Sequence, residues 1–101
     1  MSDFGLKRQE LCLIRNVLKK NPKIDKAVIF GSRAKGDYRS FSDVDLAVYG
    51  DINAIDIESA ICELDELPTV YTFDLLAYGL LKNAALKSHI DRVGVAIYDR
   101  G

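Results

Sequence analysis

The chain has 101 residues, a formal net charge of −1, 49% apolar and 29% charged residues, the balance of an ordinary globular protein. That length supports one hydrophobic core, so a single domain over residues 1–101 is expected. The near-neutral charge argues against direct nucleic-acid binding, which favours a basic surface, and no apolar run reaches the ~18–20 residues of a membrane span.

The N-terminal MSDFGLKRQE lacks the apolar segment of a secretion signal, which predicts a cytoplasmic protein. Residues from about Gly5 to Lys20 have the period of an amphipathic helix. Leu6, Leu13, Ile14, Val17 and Leu18 form its apolar stripe. Lys19 and Lys20 suit the negative end of its dipole, and Asn21-Pro22 ends it. Lys26–Phe30 reads as a short central strand, and Arg33–Arg39 as a compact turn or short helix. Asp43–Tyr49 reads as a second strand, with Gly50-Asp51 as a turn.

Asn53 is a natural N-cap for a helix reaching about Asp65, with Ala54, Ile57, Ile61 and Leu64 turned inward. Pro68 breaks that pattern, and Val70–Leu75 reads as strand three with Asp74 near its end. A last helix from about Gly79 to Arg92 leads to a final strand over Val93–Tyr98. Cys12 and Cys62 fall in helical apolar patterns and are expected to be reduced, buried thiols. The element order predicts an α/β or α+β domain, a small mixed sheet of about four strands flanked by helices.

The chemistry concentrates between Ile29 and Val48, IFGSRAKGDYRSFSDVDLAV. Side chains alternate along a strand, so Asp43 and Asp45 share one face while Val44 and Leu46 take the other. Two carboxylates crowded on a largely apolar strand repel each other and resist desolvation unless a cation joins them. Hard oxygen ligands suit magnesium, which keeps waters and pairs one or two carboxylates with substrate phosphates. The first strand delivers the chain into Gly31-Ser32, where glycine permits backbone angles or a close approach denied to other residues. If a helix starts there, its free N–H groups favour an anion, and Arg33 and Lys35 add positive charge, with Arg39 a weaker candidate. A phosphate cradle beside a metal platform describes a nucleoside-triphosphate site.

Gly31-Ser32, ten residues, then Asp43-Val44-Asp45 resembles the signature of the polymerase-beta-like nucleotidyltransferase superfamily. The strings GSRAKGD and SDVDLAV are similar to its minimal nucleotidyltransferase (MNT) group, in which GSRARG is commoner. Lys35 keeps that arginine's charge but loses its planar fork. Asp74 matches the place of the superfamily's third acidic residue. The resemblance implies attack of an acceptor hydroxyl on the α-phosphate of a nucleoside triphosphate, with pyrophosphate leaving. It assigns Asp43, Asp45 and Asp74 to catalysis and to two Mg²⁺ ions, and Gly31, Ser32, Arg33 and Lys35 to the nucleotide.

It also implies a partner. MNT proteins pair with small HEPN ribonuclease toxins, and the MNT member acts as antitoxin by transferring AMP from ATP to a toxin tyrosine. Two alternatives stand beside this expectation: neutralisation of the partner by binding alone, and nucleotidyl transfer to a small molecule. The lone His89 is expected in a helix far from the motif, in a structural role. Tyrosines and leucines between Tyr71 and Leu81 outnumber what a small core absorbs, so a partner or homodimer surface is expected there. Asp43→Asn or Asp45→Asn is expected to abolish transfer while leaving the melting temperature equal or higher, since each relieves like-charge repulsion; thermal melts beside a transfer assay check this.

Overall fold

A computed structural model describes residues 6–31 and 43–100. The elements are α1 (Arg8–Lys20), β1 (Ile24–Phe30), β2 (Val44–Gly50), α2 (Ala54–Asp65), β3 (Phe73–Ala77), a 3₁₀ turn (Tyr78–Leu80), α3 (Ala84–Val93) and β4 (Val95–Asp99). The helix or turn expected over Arg33–Arg39 lies outside the described residues, as do Ser32, Arg33 and Lys35.

The four strands form one mixed sheet in the order β3-β2-β1-β4. β1 runs antiparallel to both β2 and β4, whereas β2 and β3 are parallel. A parallel pair needs a crossover of a dozen or more residues, and the 12-residue α2 occupies it. Each sheet face has its own cluster. On one, Leu11, Ile14, Val17 and Leu18 of α1 and Ala60 and Leu64 of α2 cover Ala27, Ile29, Val44, Leu46, Val48, Phe73, Leu75 and Ile97. On the other, Ile90 of α3 packs on Val28, Phe30 and Ala47, with Leu76, Leu86 and Val93 around it. β2 therefore alternates strictly, one face to each cluster.

Local signals explain the helix limits. α1 starts three residues later than its apolar period suggests, where the Lys7 backbone N–H donates to Glu10 Oε1 at 2.8 Å. α2 starts as expected: Asn53 Oδ1 accepts the Asp56 N–H at 2.9 Å, and Asp56 Oδ2 accepts the Asn53 N–H at 3.1 Å. The Asn53 N–H on its carboxylate, and then Lys23 beside it, hold the Asp56 pKa below the usual carboxylate range. α3 begins at Ala84 rather than Gly79, because Asn83 Oδ1 accepts the Leu86 N–H and restarts the helix after the 3₁₀ turn. Arg15 of α1 donates its Nε–H to the Ile97 carbonyl at 2.6 Å, pinning the helix to the edge strand β4.

Several expectations are corrected. β3 covers Phe73–Ala77 rather than Val70–Leu75, since its ladder opens with the Val44 N–H donating to the Thr72 carbonyl. Val70 is left 77% exposed. Cys12 and Cys62 are exposed, not buried. Each helical step turns 100°, and the inner stripes belong to Leu11 and Ile14 in α1 and to Ala60 and Leu64 in α2. Both cysteines fall on the outer side. Ala60, not Ala54, is the buried alanine of α2.

The burial pattern separates two neighbouring positions of α2. Leu64→Ala empties a fully buried site and is expected to cost about 2–5 kcal/mol, a fall in melting temperature of at least ~8 °C in a domain this small. Cys62→Ser is expected to change stability by no more than about 0.5 kcal/mol, and thermal melts of both variants test the assignment.

Candidate functional site

The site forms where β1 ends and β2 and β3 begin. Phe30, the last residue of β1, lies across the ladder from Asp45. Asp45 in turn lies across the parallel ladder from Asp74. Ala47 and Leu76 belong to the α3-side cluster, so Asp45 and Asp74, two positions earlier on the same strands, face that side as well. Neighbouring strands stand about 4.8 Å apart. The two carboxylates therefore emerge side by side, Asp45 half-buried and Asp74 exposed. Asp43 is exposed, immediately before β2.

Asp74 is thus the second residue of β3 and not near its end, as the pattern of apolar residues suggested. The difference matters chemically. β2 and β3 are parallel, so an acid that meets Asp45 near the start of β2 must itself lie near the start of β3.

Gly31 closes the site on the β1 side. Its φ of +77° is a conformation that L side chains rarely adopt. A Cβ on Gly31 would overlap Asp45 Oδ2. Glycine is required twice over, by the turn and by the carboxylate lying against its Cα. The structure brings Gly31, Asp43, Asp45 and Asp74 to one end of one sheet face. Ser32, Arg33, Lys35 and Arg39 fall outside the described residues.

Among the described residues no group of three or more His, Cys, Asp or Glu side chains forms a ready-made metal cage. The donors that do converge are carboxylate oxygens only. This set fits magnesium, which relies on one or two protein carboxylates and completes its shell with water and phosphate. It matches zinc less well, because zinc sites draw mainly on thiolate and imidazole.

One neighbour corrects the expectation from sequence, which set His89 in a helix far from the motif. The His89 ring of α3 meets Phe30 edge to face, with centroids 6.3 Å apart and planes at 81°. The two lie 59 positions apart in the chain, and no local spacing signals their contact. The tyrosines sit elsewhere. Tyr49 and Tyr78 stack at 4.5 Å at the far ends of β2 and β3, with Lys26 over one ring and Lys87 over the other. The Tyr78 hydroxyl donates to Asp91 at 2.9 Å, which raises the phenol's pKa. Burial, then the Asp91 charge, raises that of Tyr49. Both stay protonated at neutral pH, as a structural brace. A groove of about 500 Å³ lined by Asp25, Lys26, Tyr49, Asp99 and Arg100 opens at this far end, away from the carboxylates. Leu80 is 59% exposed nearby.

Residues 13–101 match the family described as "Polymerase beta, Nucleotidyltransferase". A protein of Methanocaldococcus jannaschii, named as a candidate protein adenylyltransferase, is 35% identical over 66 residues, which are 65% of this chain and 56% of that protein. The chain thus spans little more than half of that curated relative. Among solved structures, a toxin–antitoxin complex with AMP-PNP superposes with a TM-score of 0.75 at 21% identity, over 93% of this chain and 74% of that one. A tri-AMPylated HEPN toxin of Shewanella oneidensis in complex with its MNT antitoxin gives 0.72 at 18% identity, over 93% and 73%. At those identities the superpositions establish the shared fold.

Gly31→Ala places a side chain both in an unfavourable backbone region and against Asp45. It is expected to lower stability by about 1–3 kcal/mol and to reduce nucleotidyl transfer beyond what unfolding explains. Activity measured well below the variant's own melting temperature checks the second effect.

Proposed function

We propose, from the premise that the chain belongs to the polymerase beta nucleotidyltransferase family, that it transfers AMP from ATP to a tyrosine hydroxyl of a HEPN ribonuclease toxin and thereby acts as its antitoxin. The observation that carries the chemistry is the register of Asp45 with Asp74, beside a Gly31 that admits no side chain.

In this reading Gly31 and Ser32 receive the phosphates, and Arg33 and Lys35 offset their charge. Asp43, Asp45 and Asp74 hold two Mg²⁺ ions, which when bound supply Lewis-acid stabilisation of the attacking and leaving oxygens. The acceptor oxygen bonds to the α-phosphorus, the bond from that phosphorus to the bridging oxygen breaks, and pyrophosphate departs. Asp74, the more exposed of the register pair, takes the hydroxyl proton.

The choice of ATP and of a HEPN toxin is supported by three likenesses. One superposed toxin–antitoxin complex contains AMP-PNP, another pairs an MNT antitoxin with an AMPylated HEPN toxin, and the archaeal relative is named for protein adenylylation. Among the described residues no helix is long and apolar enough to cross a membrane.

The test mixes this chain, a HEPN protein encoded beside it, Mg²⁺ and ATP, and reads the partner's intact mass. The expected result is a gain of one or more AMP units on the partner, abolished by Asp43→Asn/Asp45→Asn. A tight complex with no gain in mass would instead mean neutralisation by binding.

A further inference from the structure

We infer that His89 is a nucleotide-contacting residue, its imidazole forming the α3 wall of the site on the side of the phosphates. The inference rests on the nucleotidyl-transfer reading above and adds a binding residue to it.

Three placements carry it. First, α3 covers the same sheet face on which Asp45 and Asp74 emerge, through Ile90 on Val28, Phe30 and Ala47. Second, α3 runs toward the carboxylate end of the sheet. Val95, which follows it after Gly94, pairs with Ile29 near the end of β1. Gly94 lets that end come close, because a Cβ there would overlap both Val28 Cγ1 and the Ile90 carbonyl. Third, His89 lies one turn from Leu86 and Val93, so it shares the sheet-facing side of α3. Its ring meets that of Phe30 edge to face, and Phe30 precedes Gly31 and pairs with Asp45.

The sheet order decides which substrate His89 meets. β1 and β3 lie on opposite sides of β2. His89 stands over β1, on the Gly31 side, whereas Asp74 and the acceptor belong to the β3 side. The ligand chemistry at His89 is therefore a nucleotide polyphosphate rather than the acceptor. His89 is half-buried and its ring meets Phe30 edge to face, which restrains the ring before a ligand arrives. A ring N–H donating to an anionic oxygen is among the stronger protein hydrogen bonds.

The experiment measures binding of AMP-PNP with Mg²⁺ to the full chain by calorimetry, alongside KM for ATP and kcat in the transfer assay. His89→Ala is expected to weaken binding and raise KM roughly tenfold, with kcat nearly unchanged. His89→Phe keeps an aromatic ring on Phe30 but has no donor, and is expected to lose affinity as Ala does. His89→Gln keeps a donor and is expected to recover part of it. If His89→Phe binds as wild type does, or all three variants do, the inference is overturned while the transfer reading stands. If the wild-type chain itself binds no Mg²⁺–nucleotide, the transfer reading fails and the inference falls with it.

Discussion

The candidate site depends on one alignment: two acids set opposite each other at the starts of parallel strands, with a glycine Cα against one of them. Like charges on adjacent strands oppose folding, and every feature around them limits that cost. Asp74 and Asp43 stay exposed, so water screens them. Gly31 removes the side chain that would otherwise displace the Asp45 carboxylate. A cation bound there would reverse the sign of the local electrostatics, which is why such a pair reads as a ligand site rather than a packing element.

The two sheet faces divide stability from chemistry. The α1–α2 face holds the larger cluster, with Ile14, Leu18, Ile29, Leu46 and Leu64 fully buried. At about 1.5–3 kcal/mol for each large apolar side chain taken from water, that face is the main source of cohesion. The α3 face is smaller, with four buried residues at its centre among the described residues, and its two ends differ. At one the Tyr49–Tyr78 stack, flanked by Lys26 and Lys87, braces β2 against the 3₁₀ turn. At the other lie Asp45, half-buried, and Asp74, exposed. Among the described residues, α3 covers the middle of this face.

Much of this was legible in residue order. Asp43-Val44-Asp45 announced a strand with acids on one face and a core on the other, and the burial of Val44, Leu46 and Val48 agrees. Asn53 marked the start of α2 correctly, because an N-cap is a contact across three residues. The misreadings share a cause. Val70 looks like a strand residue and Cys12 and Cys62 look buried, yet the partner that decides each lies elsewhere in the chain. Thr72 opens β3 only because Val44 donates to it, and the cysteines are exposed because better-placed leucines, isoleucine and alanine fill the inner stripes.

By itself the sequence determined the acids, the glycine, the apolar periods and the family to which they belong. Those features are encoded locally, within a few residues or by a fixed spacing. Only the tertiary structure decided that Asp45 faces Asp74, because parallel pairing of β2 with β3 sets a register that neither strand contains alone. Only it brought His89 to Phe30, 59 positions away in the chain, because the distance of α3 from the sheet depends on Gly94 packing against Val28. Such contacts arise from the geometry of closing the core.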